Sequence, residues 1–196
     1  MTLARSRVAD IVVPISYAVK RAQHAHGLAA YKAQPPSWES QTNLLSLLLL
    51  FVKEHLGCVA RASRVAGWSH AAVVPSTRNR PGEHPLRALV GGRLGLPWAE
   101  LSANPHIPSE VREFRVDRFE VSGGDLRGAR VLLLDDTWTT GSRVQSASYA
   151  LKLAGADKVA AVVLGRHVNP EWEGWKPIIQ EIKDKSFRSD RCAVHS

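Results

Sequence analysis

The amino-acid sequence predicts an α/β fold, with a parallel sheet covered by helices on both faces. Two segments, Val131–Leu134 and Val159–Leu164, are apolar throughout, as strands buried on both faces are. Segments with helical spacing lie between such strands, and this alternation is typical of a parallel sheet. The 196 residues, 44% of them hydrophobic, suit one globular domain with appendages.

The first 68 residues are predicted to form a mainly helical segment, a hood over the rest of the chain. Residues 15–31 mix small and basic side chains and are expected to be helical in part. A longer helix is predicted over residues 38–56, with Ser37 as its N-cap. Its apolar run, residues 44–52, is much shorter than the roughly 20 residues that cross a bilayer, which favours a buried core helix.

The core of the fold is predicted to occupy residues 69–168, and residues 169–196 are predicted to be a tail over it. The spacing of apolar residues gives the elements of the core in order. They are a strand in 69–76, a helix over 86–94, a short strand within 96–104, a mobile loop and strand over 106–119, a strand over 131–134, a helix over 142–153 with Gly155 at its C-cap, and a strand over 159–164.

The charge and the cysteines restrict the partners and the compartment. A formal net charge of +8 favours anionic partners, namely phosphorylated metabolites, nucleic acid or acidic lipid. Aromatic residues are not interleaved with the basic ones as a platform for single strands requires, so nucleic acid is possible but not favoured. Cys58 and Cys192 show no zinc-site spacing and fit a reducing, cytoplasmic location. The N-terminus lacks the apolar core of a signal peptide, and no membrane partner is expected.

The stretch VLLLDDTWTTGSRV, residues 131–144, carries the sharpest functional pattern. A predicted strand runs into Asp135 and Asp136, and a loop rich in hydroxyl groups leads into a helix. Unpaired N–H groups at a helix N-terminus bind phosphate, and carboxylates accept hydrogen bonds from vicinal hydroxyls. A ribose 5-phosphate offers both groups, with the aspartates facing its diol. The loop residues that would face its phosphate are Thr137, Thr139, Thr140, Gly141, Ser142 and Arg143. The structural alternative is a strand end followed by ordinary capping residues.

These residues resemble the ribose-phosphate binding motif of type I phosphoribosyltransferases, with one departure. Arg143 stands where that family usually has a small hydroxyl residue. The segment AAVVPSTRNRPGEHPL resembles the pyrophosphate-loop region of the ComF-like branch, as do ISYAVK near the N-terminus and ALKLAGADKVAAVVLGRH. The resemblance covers most of residues 11–167. Members of that branch often carry an N-terminal zinc ribbon, which is not expected here because no cysteine precedes Cys58.

The resemblance implies a type I phosphoribosyltransferase-like fold and an activity. Phosphoribosyl diphosphate (PRPP) would donate its phosphoribosyl group to a nitrogen or carbon nucleophile and release pyrophosphate. Magnesium would arrive with PRPP, so no dedicated metal site is expected in the protein. Dimers are common among relatives, which makes a homodimer possible. A different hypothesis keeps the fold without catalysis, as a PRPP- or nucleotide-sensing or nucleic-acid-handling accessory protein.

The resemblance also implies roles for individual residues. Asp135 and Asp136 would be catalytic, and the loop of residues 106–119 would close over the leaving group through Arg112 and Arg115, or through Arg118. Trp172 borders the region where the acceptor binds, although it could instead attach the tail to the body. Pyrophosphate would be bound by Ser76, Thr77, Arg78 and Arg80. The structural alternatives are a solvated basic turn and a charged edge strand.

Overall fold

A parallel five-stranded sheet forms the centre of the computed structural model, which describes residues 7–76, 82–184, 188–192 and 194. Its strand order is β1-β7-β6-β3, and β2 pairs with β7 farther along the edge that β1 occupies. The predicted α/β class with a parallel sheet is therefore confirmed. The strands of this sheet are β1 (Ile11–Pro14), β2 (Tyr17–Val19), β3 (His70–Val73), β6 (Arg130–Trp138) and β7 (Lys158–Val168).

Helices and a second, smaller sheet complete the architecture. An antiparallel pair forms the second sheet, from β4 (Glu100–Ala103) and β5 (Phe119–Ser122). The helices are α1 (Gln23–Ala30), α2 (Trp38–Ala62), α3 (Pro85–Val90), α4 (Ser142–Leu153) and α5 (Lys176–Asp184), with 3₁₀ turns at Gly91–Leu94 and Glu173–Trp175.

The two faces of the central sheet bury alternate residues of the same strands, because side chains alternate across a strand. On β6, Leu132 and Leu134 belong to the core cluster that includes α1, α2 and α3. Leu133 belongs to the opposite cluster, with Val144 and Leu151 of α4. Burial on both faces explains why residues 131–134 of this strand and residues 159–164 of β7 are apolar throughout.

Helix α2 begins as the sequence predicts and ends later. The Ser37 hydroxyl accepts a hydrogen bond from the backbone N–H of Ser40 at 3.2 Å, which confirms the N-cap. The helix continues through Gly57 to Ala62, because Cys58 and Val59 extend its buried face. Their packing outweighs the roughly 1 kcal/mol by which a glycine destabilises a helix. By length and composition α2 could cross a membrane, but here one of its faces packs on the sheet.

Several predicted boundaries are wrong for identifiable reasons. Residues 15–31 hold strand β2 as well as α1, and β1 precedes them; these strands of three and four residues are too short to show periodicity. Strand β6 extends through the aspartate pair to Trp138, because β7 pairs with it that far. The helix predicted over 86–94 gives way at Gly91 to a 3₁₀ turn. The domain division remains a prediction; β1 and β2 of the first 68 residues pair with the core strand β7.

Candidate functional site

A cavity of about 290 Å³ opens at the carboxyl end of β3, beside the part of β6 that follows its apolar residues 131–134. The carboxyl ends of parallel strands are where ligands bind in open α/β sheets. The cavity is lined by the segment after α1, the segment after β3, the start of α3, one loop arginine and the motif of residues 135–144. Its lining residues are Tyr31, Lys32, Val74, Pro75, Ser76, His84, Pro85, Arg112, Asp135, Asp136, Thr137, Thr139, Thr140, Gly141, Ser142, Arg143 and Val144.

Most of the site residues inferred from the sequence lie around this cavity, and two do not. The motif residues are brought together with Ser76 and Arg112. Arg115 and Trp172 do not line it. Thr77, Arg78 and Arg80 lie outside the described residues.

The loop before α4 presents donors to the cavity. Gly141 has a φ of 78°, and a Cβ on it would overlap the ring of Trp138, so the turn requires glycine. Thr140 Oγ1 lies 3.2 Å from Ser142 Oγ and accepts a hydrogen bond from the Ser142 N–H at 3.4 Å. Since α4 begins at Ser142, the N–H groups of its first turn, which have no partner within the helix, and its positive dipole end lie at this turn. The turn is therefore suited to an anion.

Asp136 is bound by two residues that the sequence analysis did not assign. Its Oδ2 accepts hydrogen bonds from Tyr31 Oη at 2.6 Å and from Lys32 Nζ at 2.8 Å. Burial alone raises the pKa of Asp136, but the charge and hydrogen bond of Lys32 and the hydroxyl of Tyr31 bring that pKa below its ordinary value. The partners are 105 and 104 residues away in sequence, and no spacing connects them with the motif.

Asp135 lies in a different electrostatic environment from its neighbour. Its Oδ1 accepts the backbone N–H of Asp136 at 2.9 Å, and it lines the cavity. Burial, followed by the negative charge of Asp136, raises the pKa of Asp135 well above its ordinary value. Adjacent carboxyls with pKa values moved in opposite directions can play different chemical roles.

The segment of residues 106–118 is attached to the motif at three points. Arg143 donates to the carbonyl oxygen of Ser109 at 2.8 Å, and Thr140 donates to the carbonyl of Arg112 at 3.4 Å. The backbone N–H of Arg115 donates to Ser146 Oγ of α4 at 3.0 Å. These contacts hold the segment beside the cavity and place Arg112 in its wall.

Two other arginines of this segment have different environments. Arg115 is exposed and pairs with Asp117 at 2.8 Å. Arg118 is fully buried and donates to the carbonyl of Val111 at 2.8 Å. Burial, together with the charges of Arg143 and Arg115, lowers the pKa of Arg118. Among the three candidate loop arginines, the structure places Arg112 at the cavity.

Trp172 lies on the surface, away from the cavity. It is 60% exposed, and its ring meets that of Trp175 edge-on at 5.8 Å. Trp175 in turn contacts the Arg166 guanidinium of β7, which lies 4.8 Å from its ring centroid. This chain of contacts attaches the segment after β7 to the sheet. A role for Trp172 at an acceptor site remains a prediction.

Comparisons with known proteins give the following. No family model and no curated protein matches the sequence. Similar solved structures include an allosteric regulatory enzyme of purine biosynthesis (18% identity, TM-score 0.37, covering 59% of this chain and 26% of that one). Another is a purine phosphoribosyltransferase from Pyrococcus horikoshii, with 16% identity and a TM-score of 0.41, covering 70% of this chain and 92% of that one. A third is adenine phosphoribosyltransferase from Saccharomyces cerevisiae, with 17% identity and a TM-score of 0.43, covering 64% of this chain and 69% of that one. The chain thus spans about a quarter of the first protein's length. Phosphoribosyltransferases are therefore among its structural neighbours, at similarities too low to carry an argument about function.

Proposed function

We propose that this chain is a phosphoribosyltransferase that uses PRPP. The observation that carries the proposal is the cavity at the end of β6, which joins two carboxyl groups to a turn of amide and hydroxyl donors. A sugar phosphate has a diol for the carboxyls and an anionic ester for the turn. Lys32, Arg112 and Arg143 add positive charge around the same volume, which favours a polyanionic substrate.

The proposed binding mode follows the chemistry of the wall. The 5-phosphate lies on residues 139–142 and the N-terminus of α4, with the Arg143 guanidinium beside it. The ribose diol donates to the carboxyl of Asp135 and, if Lys32 moves, of Asp136. The pyrophosphate lies toward Ser76 and Arg112, with Thr77, Arg78 and Arg80 as further proposed contacts.

In the reaction, the bond between ribose C1 and the pyrophosphate oxygen breaks, and its electron pair leaves with pyrophosphate. A bond forms between C1 and the nucleophile, which loses its proton. The carboxylates stabilise positive charge that develops on the sugar, and the arginines stabilise the leaving group. Orientation of the substrates in the cavity supplies much of the acceleration.

Magnesium belongs to the proposal as an ion that enters with PRPP. The fit is adequate, because the Asp135 carboxyl lines the cavity and can contact a metal-bound water. When bound, Mg²⁺ supplies charge neutralisation for the pyrophosphate. Membership of the ComF-like branch, a cytoplasmic location, a homodimer and an acceptor site near Trp172 are further parts of the proposal.

One observation favours a second candidate function, a PRPP- or nucleotide-sensing accessory protein. The carboxylate of Asp136 is already bound to Lys32 and Tyr31, which compete with a ribose diol for its oxygens. A site arranged in this way could bind PRPP without turning it over, and the net charge of +8 would suit nucleic-acid handling.

The test is a calorimetric titration with PRPP and Mg²⁺, followed by a pyrophosphate-release screen over nucleobases and amines. Turnover supports the transferase, and binding without turnover supports the accessory. Salt-sensitive DNA binding without affinity for PRPP contradicts the transferase and favours a nucleic-acid-handling accessory protein. The double variant Asp135→Asn/Asp136→Asn should lose PRPP binding and remain folded. The control Asp157→Asn changes an exposed residue just before β7 and should bind PRPP as wild type does.

A further inference from the structure

Two side chains of α2 and Cys192 form a group that could hold a metal ion, outside the cavity described above. His55, Cys58 and Cys192 each offer one ligand atom, and these atoms all lie within 4.8 Å of one another. Their exposed fractions are 7%, 9% and 3%. Both cysteines are free thiols. We propose that these residues bind one Zn²⁺ ion, which joins the segment of residues 188–192 to α2.

The positions of the three residues suit a tetrahedral ion. His55 and Cys58 are three residues apart on α2, so their side chains lie on the same face. Cys192 lies near this face and belongs to the segment of residues 188–192. With typical zinc–sulfur and zinc–nitrogen bonds, tetrahedral ligand atoms are about 3.6–3.8 Å apart. The observed group therefore needs shifts of about 1 Å or less to enclose the ion.

Each candidate ligand also has the second partner that metal ligands usually have. His55 Nε2 lies 2.6 Å from the carbonyl oxygen of Ser189, which can only accept, so Nε2 carries the proton and Nδ1 holds the lone pair. Metal-bound histidines commonly donate their other N–H to a carbonyl in this way. Cys58 Sγ accepts from Arg61 at 3.3 Å, and Cys192 Sγ accepts from the Val194 N–H at 3.4 Å. Such donors stabilise negative charge on thiolates.

The chemistry of the group favours zinc over an unligated state. Two thiolates and an imidazole are soft to borderline ligands, which zinc accepts readily. A divalent ion with two thiolates is formally neutral, which suits a buried place.

A tetrahedral ion has four ligands, so a water molecule would be the fourth ligand beside these three side chains. His195 follows Cys192 by three residues in the sequence and lies outside the described residues; the proposal does not depend on it.

A zinc ion here would stabilise the fold. Ser189 contacts α2 through the hydrogen bond from His55, and Val194 packs against the core cluster that includes α2. The ion would join the same two segments by coordination bonds. Since such a site forms only in the folded chain, binding would raise the melting temperature.

The first experiment measures metal in the full chain purified under reducing conditions. Elemental analysis is expected to give about one zinc per chain, and cobalt exchange should give thiolate-to-cobalt charge-transfer absorption. Chelation should lower the melting temperature, and added zinc should restore it. This cycle needs no variant, so it does not depend on whether a variant folds.

Variants then assign the ligands. Cys58→Ser, Cys192→Ser and His55→Gln should each lower zinc affinity by at least about tenfold. The control His26→Gln changes an exposed histidine of α1 and should retain zinc.

Several results would overturn the proposal. These are a reduced wild-type chain that takes up no zinc on dialysis, a melting temperature unaffected by chelator, and a His55→Gln variant with full occupancy. A stable Cys58–Cys192 disulfide in place of metal would do the same. None of these readouts uses PRPP, so the zinc site and the transferase proposal can fail independently.

Discussion

Removal of Lys32 tests the electrostatic account of the candidate site most directly. In Lys32→Met the carboxylate of Asp136 keeps the Tyr31 hydroxyl but loses the ammonium 2.8 Å away. Loss of one partner of a buried ion pair costs about 3–5 kcal/mol. The side chains of Lys32 and Asp136 are 30% and 13% exposed, so water can partly solvate the carboxylate that is left without its partner. We therefore expect the free energy of unfolding to fall by about 2 kcal/mol at pH 7.

The pH dependence of this loss has a defined sign. In wild type the pKa of Asp136 is below 3.8, so the stability it contributes is complete above pH 3.8 and is lost as the pH falls through the lower folded value. In Lys32→Met, burial and Asp135 should raise the pKa of Asp136, so that its ionisation opposes folding above pH 3.8. The difference between the two proteins should therefore be large near neutral pH and small in acid.

Urea denaturation of four proteins measures the effect: wild type, Lys32→Met, Asp136→Asn and the double variant. Because the double variant leaves no unpaired charge, it should be more stable than the sum of the single losses predicts, by about 1–2 kcal/mol. A Lys32→Met variant within about 0.5 kcal/mol of wild type at pH 7 would refute the reasoning. A double variant whose loss of stability equals the sum of the two single losses would refute it as well.

Three further predictions concern the site, an ion-pair cluster and the core. Asp135→Asn should abolish PRPP binding and stabilise the free protein by about 0.5–2 kcal/mol. The gain in stability should grow above pH 3.8, because the pKa of Asp135 is raised in the folded protein and its ionisation opposes folding. An unchanged urea midpoint would contradict this. Asp10→Asn should lower the free energy of unfolding by about 1–2 kcal/mol, because Asp10 pairs with Lys152 at 2.8 Å. Since the pKa of Asp10 is lowered in the folded protein, this loss should fade as the pH falls below 3.8, which a series of melting curves at different pH values measures. Leu133→Ala should cost about 2–5 kcal/mol by denaturant titration, whereas Leu153→Ala, at a 60% exposed position, should stay within about 0.5 kcal/mol.

The motif was predictable from the sequence because its chemistry is local. A strand, two carboxyls and a glycine turn before a helix follow one another along the chain, so their order alone places them at one end of the sheet. The same holds for the N-cap Ser37 of α2 and for the bounds of α4, which near neighbours in the sequence set. The C-cap of α4 is Ala154, one residue before the predicted Gly155. Arg112 and Arg115 could not be distinguished in this way, because the fold of the loop decides which of them meets the cavity.

The sequence by itself determined the parallel sheet, the helices on its two faces and the carboxyl–hydroxyl turn, because apolar spacing and turn chemistry act over a few residues. Only the tertiary structure decided that Tyr31 and Lys32 bind Asp136, that Arg143 holds Ser109, and that Cys192 joins His55 and Cys58. These contacts join segments far apart in the chain. Their formation depends on how whole elements pack, which no local pattern encodes.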